Sequence, residues 1–111
     1  MARAVARGDV WLYEFRKPDK TRPVVVLSRT DVIDLLDTVL VAPVTSTIRN
    51  IASEVTLDER DGLKHPCVAN LDHLRCVDKA GLRKHLGRVR NEQMMDMCRA
   101  IAAATGCEAA G

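Results

Sequence analysis

The fold class is decided by residues 9–15, DVWLYEF. This segment is rich in aromatic and β-branched residues, which is typical of a β-strand. The side chains of Trp11, Tyr13 and Phe15 fall two residues apart and therefore share one face, while Leu12 lies on the other. A strand that is apolar on both faces is covered on both sides. We expect the aromatic side chains to lie in a core or a subunit interface, with a stacking platform for nucleic-acid bases as the alternative.

Further strand signals follow this segment along the chain. They are short runs of β-branched and apolar residues separated by polar turns such as RKPDKT, residues 16–21. Five or six short strands with few helices indicate a small, strongly bent barrel or sandwich rather than a βαβ fold. We predict strands over Val24–Ser28, Thr38–Val44, Ser53–Leu57 and Leu86–Val89, one or two strands over Cys67–Val77, and a short helical turn over Asp31–Leu36.

The last part of the chain predicts a helix. Asn91 is a natural N-cap, and Gly106 is a typical residue at which a helix ends. Apolar residues at helical spacing should form a stripe that packs against the sheet. That predicted stripe consists of Met94, Met97, Cys98, Ile101 and Thr105.

Composition indicates one domain over residues 1–111. Hydrophobic residues make up 47% of the 111 residues and charged residues 29%, which is ordinary for a chain that folds. A net charge of +2 neither demands nor excludes a polyanionic partner. The N-terminus has no apolar leader segment, and the longest uncharged run, Thr38–Ile48, is too short to cross a bilayer. We therefore expect a cytoplasmic protein with no membrane association.

The four cysteines do not form a metal or redox motif. Cys67, Cys76, Cys98 and Cys107 include no C-x-x-C pair. We expect reduced, mostly buried thiols with no disulfide and no metal.

Four blocks in the sequence resemble a known family. The blocks are GDVWL (residues 8–12), RPVVVLS (22–28), VAPVTS (41–46) and DHLRCVDK (72–79). In this order they resemble the MazF/PemK toxins of bacterial type II toxin-antitoxin systems. The resemblance runs from about residue 8 to residue 105, which we take as the domain core. It implies a mainly β, α+β fold, namely a small SH3-like β-barrel of the CcdB/PemK/MazF type with a C-terminal α-helix.

The resemblance also implies a function and partners. Such proteins are homodimers that cleave single-stranded RNA, mainly mRNA, at short sequence motifs without a metal or other cofactor. A cognate antitoxin protein inhibits them. Relatives commonly have a longer loop between the first strand and the Arg-Pro pair, so the cleavage motif and the mode of inhibition do not carry over.

By the same resemblance, Arg22 and Thr45 occupy the two catalytic positions. RNA supplies its own nucleophile, the 2′-hydroxyl, so the protein must align it, stabilise the charge on the phosphorus centre and assist proton transfer. A guanidinium is a permanent cation with a fork of donors for phosphate oxygens. A threonine hydroxyl can donate one more hydrogen bond. Cleavage would leave a 2′,3′-cyclic phosphate and a 5′-hydroxyl, with Arg22 as charge stabiliser and candidate proton donor.

Several polar residues near these blocks are predicted to bind RNA. Hydroxyls next to Thr45 suit neighbouring phosphates, and amides and carboxylates suit unstacked bases. Basic residues in the first loop and between residues 79 and 90 could bind the RNA backbone or form a solvated face. The predicted RNA-binding residues are Lys20, Ser46, Thr47, Arg49, Asn70, Asp72 and His73.

Three alternatives remain at this stage. A pair among His65, His73 and His85 could carry out acid–base cleavage. The general base is unassigned: Glu14 lies on the first strand where many members of the resembling family have a carboxylate, and a structural role for it is an equal alternative. A CcdB-like gyrase poison is a second alternative, although such proteins use a Trp-Gly-Ile ending and the single Trp here is Trp11. The third is an inactive barrel that binds RNA or a peptide.

Overall fold

A computed structural model describes residues 4–16 and 21–107. Seven strands and two α-helices follow one another along the chain. The strands are β1 (Asp9–Glu14), β2 (Thr21–Val26), β3 (Thr38–Thr45), β4 (Glu54–Leu57), β5 (Cys67–Asn70), β6 (Arg75–Asp78) and β7 (Leu82–Arg88). The helices are α1 (Thr30–Ile33) and α2 (Asn91–Thr105), with 3₁₀ turns at Glu59–Asp61, Leu71–His73 and Lys79–Gly81.

The strands form one antiparallel sheet in the order β4-β5-β3-β2-β1-β7, with β6 also paired to β3. The strand β3 organises the sheet because it pairs with β6 near its start, with β2 in its middle and with β5 at its end. The predicted mainly β fold with a C-terminal helix is confirmed.

The turn that follows the end strand β4 meets the other end strand, β7, through glycines rather than through a hydrogen-bonded ladder. A Cβ atom on Gly87 of β7 would lie 2.8 Å from the Asp61 carbonyl oxygen and 2.8 Å from the Cα of Gly62. Gly62 also has φ +93°, a left-handed conformation that favours glycine. The sheet therefore bends until the turn that follows β4 touches β7, which gives a barrel-like shape without a closed ladder in the described residues.

Apolar side chains pack on both faces of the sheet. Trp11, Tyr13, Val24 and Val26 are buried in one cluster, with Phe15 packed against it. A second cluster on the opposite face includes Val10, Val25, Ala42, Val44 and Met97. This alternation follows from the period of two along a strand. The prediction that the first strand is covered on both sides is confirmed, and Trp11 and Tyr13 are core residues rather than an exposed stacking platform.

Helix α2 covers the second cluster, but two details of its prediction were wrong. Asn91 is the first helical residue and Arg90 is the N-cap, because the Arg90 backbone N–H is satisfied by the Asp61 carboxylate at 3.2 Å. The buried stripe contains Met97 and Ala100 rather than Cys98 and Thr105, which are exposed. The predicted end at Gly106 is confirmed, since its φ of +73° ends the helix.

Several predicted boundaries also differ from the structure. The strand β2 begins at Thr21 rather than Val24, and β7 begins at Leu82 rather than Leu86, because each pairs with β1 over a longer stretch. Pro23 is tolerated within β2 because the ladder with β3 begins only at the next residue. The segment 67–77 forms two strands separated by a 3₁₀ turn, which is one of the two predicted outcomes.

The prediction that most of the cysteines are buried was wrong. All four thiols are free, but Cys67 alone is buried. Cys76, Cys98 and Cys107 lie on solvent-facing parts of a strand, a helix and the segment after it, so their apolar character did not bring them into the core. In the described residues, no helix is long and apolar enough to span a membrane.

Candidate active site

An open cleft of about 600 Å³ lies where the ends of β2 and β3 approach the 62–67 segment and β7. Its apolar part is built from side chains of β1, β7 and the 62–67 segment. Its polar rim carries hydroxyls and cations. The described lining consists of Leu12, Arg22, Pro23, Val44, Thr45, Ser46, Thr47, Gly62, Leu63, Lys64, His65, Cys67, Lys84 and Leu86.

The sheet register brings the two predicted catalytic residues together at the cleft. Strands β2 and β3 pair with Val24 opposite Pro43. Extending this register by two residues along each strand places Arg22 opposite Thr45. Both residues line the cleft, although 23 positions of sequence separate them.

The side chain of Thr45 is held in a defined hydrogen bond. Its Oγ1 accepts a hydrogen bond from the backbone N–H of Thr47 at 3.2 Å, which fixes the oxygen at the end of β3. A hydroxyl used as an acceptor still has its own O–H to donate. The Thr45 hydroxyl can therefore donate a hydrogen bond to a group bound in the cleft.

The Arg22 guanidinium is exposed and has no carboxylate oxygen within 4.0 Å among residues 4–16 and 21–107. All three arginines between residues 79 and 90 are instead paired with carboxylates. Arg83 is paired with Glu14 and Arg88 with Asp9, at 2.8 and 3.3 Å. Arg22 thus differs from these arginines in being available for an anion.

Lys64, His65 and Lys84 add nitrogen-bearing side chains to the same cleft. No Asp or Glu belongs to the lining that the described residues provide. Cys67 also lines the cleft, but burial raises the pKa of its thiol to about 11, so it stays protonated at neutral pH. The arrangement is suited to a polyanion and offers apolar contacts beneath it.

The predicted RNA-binding residues fall into two groups. Ser46 and Thr47 line the cleft beside Thr45, whereas Arg49 lies outside it, with its backbone N–H donating to Glu54. Asn70 is buried, and its Oδ1 accepts the backbone N–H of Asp72 at 3.0 Å. This cap starts the 3₁₀ turn after β5 and is a structural contact.

The remaining predicted positions lie away from the cleft or outside the described residues. Asp72 accepts a hydrogen bond from the Ser53 hydroxyl, and the His73 ring faces the Asn70 amide at 3.4 Å. Lys20 lies outside the described residues. RNA contacts by Lys20, Arg49, Asn70, Asp72 and His73 stay predictions.

Comparison with protein families matches residues 6–105 to the model described as PemK-like, MazF-like toxin of type II toxin-antitoxin system. The chain belongs to this family. The resemblance drawn from four sequence blocks is thereby confirmed, and membership favours an RNA-cleaving toxin over a CcdB-like gyrase poison.

Two proteins of Mycobacterium tuberculosis illustrate how close this MazF-like toxin is to its relatives. It is 43% identical over 103 residues to the probable endoribonuclease MazF5, covering 92% of this chain and 94% of MazF5. It is 30% identical over 102 residues to the probable endoribonuclease MazF2, covering 91% of this chain and 98% of MazF2. Both alignments include all the described residues of the cleft.

Solved structures confirm the fold of this MazF-like toxin. The M. tuberculosis toxin MazF-mt6 superimposes with a TM-score of 0.82 at 32% identity, covering 88% of this chain and 96% of that one. A mycobacterial endoribonuclease solved with its cognate antitoxin has a TM-score of 0.84 at 24% identity, covering 96% of this chain and 100% of that one. At this identity it supports the fold alone. The predicted mainly β, barrel-like fold of the MazF type with a C-terminal helix is therefore confirmed.

Two cleft residues of the MazF-like toxin were not among the predicted catalytic or RNA-binding residues, namely Lys64 and His65, and His65 was considered only as a member of a catalytic histidine pair. They come from the segment after β4, for which the sequence gives only a turn signal, and the sheet brings that segment to Arg22 through the Gly62–Gly87 contact. Lys84 is one of the basic residues between residues 79 and 90, and the positive charge of that segment was the one signal available for it.

The three histidines of the toxin lie in different environments. His65 lines the cleft, His73 follows β5, and the His85 ring packs edge-on against Trp11 with its Nε2 3.4 Å from Asp9. No two of them share the cleft, so the alternative of a catalytic histidine pair has no structural support. Among the described residues, no three His, Cys, Asp or Glu side chains are grouped to hold a metal.

Proposed function

We propose that this MazF-like toxin is an endoribonuclease that cleaves single-stranded RNA, with mRNA as the main substrate, at the cleft containing Arg22 and Thr45. One observation carries the proposal. A guanidinium without a carboxylate partner in the described chain and a hydroxyl with a free O–H line the same open cleft. The names of the related M. tuberculosis proteins, probable endoribonucleases, support the same activity.

The chemistry uses the nucleophile that RNA already carries. The 2′-oxygen attacks the adjacent phosphorus, the bond from phosphorus to the 5′-oxygen breaks, and a 2′,3′-cyclic phosphate and a 5′-hydroxyl result. Arg22 binds the non-bridging oxygens and stabilises the negative charge that develops on them. Thr45 donates a further hydrogen bond to the same phosphate. Arg22 also donates the proton that the leaving 5′-oxygen takes up, and it regains one from solvent.

Other cleft residues hold the substrate. Lys64 and Lys84 bind phosphates on either side of the scissile bond, and Ser46 and Thr47 donate hydrogen bonds to the backbone. Leu63 and Leu86 offer an apolar surface on which an unstacked base can lie. None of these roles requires a metal ion, so we propose metal-independent cleavage.

The partners follow from membership in the family. A toxin of a type II toxin-antitoxin system is controlled by a protein antitoxin, and we propose a cognate antitoxin and a homodimeric state for this chain. A two-sided first strand and a short chain both favour the burial of additional surface in a dimer. We also propose a cytoplasmic location and one domain over residues 1–111.

The test is cleavage of end-labelled single-stranded RNA in EDTA by the purified protein and its variants. Arg22→Ala should lower the cleavage rate at least 100-fold, because the charge on the phosphorus centre loses its main stabiliser. Arg29→Ala is the matched control: Arg29 is exposed, lies 3.8 Å from Asp31 outside the cleft, and should leave the rate within twofold. Product analysis should show cyclic phosphate ends.

Variants of Thr45 distinguish the contribution of the hydroxyl to cleavage from the contribution of the side-chain shape. Thr45→Val keeps the shape and removes the hydroxyl, so cleavage should fall about 10- to 100-fold. Thr45→Ser should restore most of that activity. An Arg22→Ala protein that cuts at the parental rate contradicts the assignment, and RNA that is retarded in a gel but never cut would mean a binding protein instead.

A further inference from the structure

Cleavage by 2′-hydroxyl attack needs a group that removes the hydroxyl proton. Arg22 and Thr45 do not fill this role, because a guanidinium has no lone pair to accept a proton and a neutral hydroxyl is too weak a base to take one. Glu14, the carboxylate noted on the first strand, is paired with Arg83 at 2.8 Å and does not line the cleft. The base must come from another group in the cleft.

The described lining offers few groups that could act as a base. It contains no carboxylate, and its lysines, Lys64 and Lys84, belong to a residue type that carries its proton at neutral pH. The Cys67 thiol has a pKa raised to about 11 by burial and remains protonated. His65 is left as the one side chain of the described lining whose residue type ordinarily changes charge between pH 5 and 8.

The surroundings of the His65 ring select the tautomer that a base needs. Its Nδ1 lies 3.2 Å from the carbonyl oxygen of Pro66, and a carbonyl can only accept. Nδ1 therefore carries the hydrogen in the neutral ring, and the lone pair is on Nε2. His65 is exposed on the cleft wall, so Nε2 is open to a bound substrate.

We propose that His65 is the general base of the cleavage reaction, a role that rests on the function proposed above. Nε2 accepts the proton of the 2′-hydroxyl as the 2′-oxygen bonds to phosphorus, and the bond to the 5′-oxygen breaks as that oxygen takes a proton from Arg22. The His65 imidazolium then releases its proton to solvent, and Arg22 regains one. The charged groups that line the same cleft as His65 are Arg22 on β2 and Lys84 on β7, with Lys64 adjacent to it in sequence.

The role is tested by measuring kcat/KM against pH for the parent protein, His65→Gln and His85→Gln on one short RNA. The parent should lose activity at acidic pH, because a protonated imidazole cannot accept a proton. His65→Gln should be at least 100-fold slower at pH 7.5 and should lack this fall. His85→Gln removes an imidazole outside the cleft and should keep the parental profile, with thermal melting used to check that each variant is folded.

Rescue by added imidazole distinguishes a chemical role of His65 from a purely structural one. Free imidazole in the buffer should raise the rate of His65→Gln in proportion to its concentration and leave Arg22→Ala unchanged. The proposal is overturned if folded His65→Gln has a kcat/KM within threefold of the parent value. It is also overturned if His65→Gln loses most of its activity but keeps the parental pH profile and does not respond to imidazole. If His65→Gln is active and Arg22→Ala is not, the proposed function stands and only the base is wrong; a parent that never cuts RNA removes both.

Discussion

At the scale of single residues, Asp61 shows how this small protein holds a buried charge. Its side chain is fully buried, and its oxygens accept hydrogen bonds from the backbone N–H groups of Asp58 and Arg90. The Arg90 guanidinium donates to both oxygens at 3.2 Å, and this contact raises the pKa of Arg90 above its ordinary value. A buried carboxylate is tolerated when it is matched in this way. Asp61 thus joins the turn after β4 to the start of α2.

Replacing Asp61 by Ala should lower the free energy of unfolding by about 3 kcal/mol, because the Asp58 and Arg90 groups lose their acceptor. Urea denaturation measures this change. Glu14→Ala is the control, since the Glu14–Arg83 pair is also an ion pair but is half exposed on both sides, and its loss should cost less than about 1 kcal/mol. Equal losses in the two variants would show that Asp61 does not hold these elements together.

At the scale of elements, α2 is attached to the sheet by one face. Met97 is fully buried in the cluster that includes Val10 and Leu57, whereas Met95, two residues earlier, is 59% exposed. Met97 and Met95 are the same residue type and have the same helix propensity, but they lie on opposite faces of the helix. A difference between their variants therefore measures packing. The stability that α2 contributes should therefore depend on its buried face.

Met97→Ala should lower the free energy of unfolding by about 3 kcal/mol, because it removes buried apolar atoms and leaves a cavity. Met95→Ala should change it by less than about 0.5 kcal/mol. Thermal or urea melts of the two proteins give the comparison directly. If both variants are equally stable, α2 is not packed as described.

The elements that the sequence predicted well are those in which local pattern and tertiary packing agree. The aromatic alternation of β1 and the stop of α2 at Gly106 are examples. The prediction failed where a partner distant in sequence decides the outcome. Arg90 became the N-cap through Asp61, and Leu82–His85 joined β7 by pairing with β1.

At the scale of the whole molecule, the bend of the sheet depends on the contact between Gly62 and Gly87. This contact brings the 62–67 segment, with Lys64 and His65, to the side of β2 that carries Arg22. The cleft therefore lies beside this glycine contact, between the turn that follows β4 and strands β2 and β7.

Gly87→Ala should cost about 2 kcal/mol of stability, since its Cβ would lie 2.8 Å from backbone atoms. It should also lower RNA cleavage at least tenfold, because the 62–67 segment must move away from Arg22. Gly106→Ala is the control: it strains the backbone at φ +73° for about 1 kcal/mol, meets no atom within 4 Å and should leave cleavage unchanged. Parental cleavage by folded Gly87→Ala would show that the contact does not set the cleft.

The same bend explains how much of the candidate site could be predicted. The Arg-Pro pair and the Thr at the end of β3 carry a family pattern, and the register of neighbouring strands brings them together. His65 and Lys64 lie in a turn with no pattern of their own, and only the contact of that turn with β7 makes them part of the cleft. Asn70 was predicted as an RNA contact from its residue type, and its burial and capping role could not be inferred from neighbouring residues.

The cations of the described cleft lining have no acidic neighbours there, so dissolved anions must balance their charge when no substrate is bound. Binding of single-stranded RNA releases those ions, and the entropy that they gain contributes to the free energy of binding. The logarithm of affinity should then fall with the logarithm of ionic strength, by about 0.7 for each phosphate that is neutralised. The ionic content of its surroundings would thus tune how much RNA this toxin destroys, without any change in the protein.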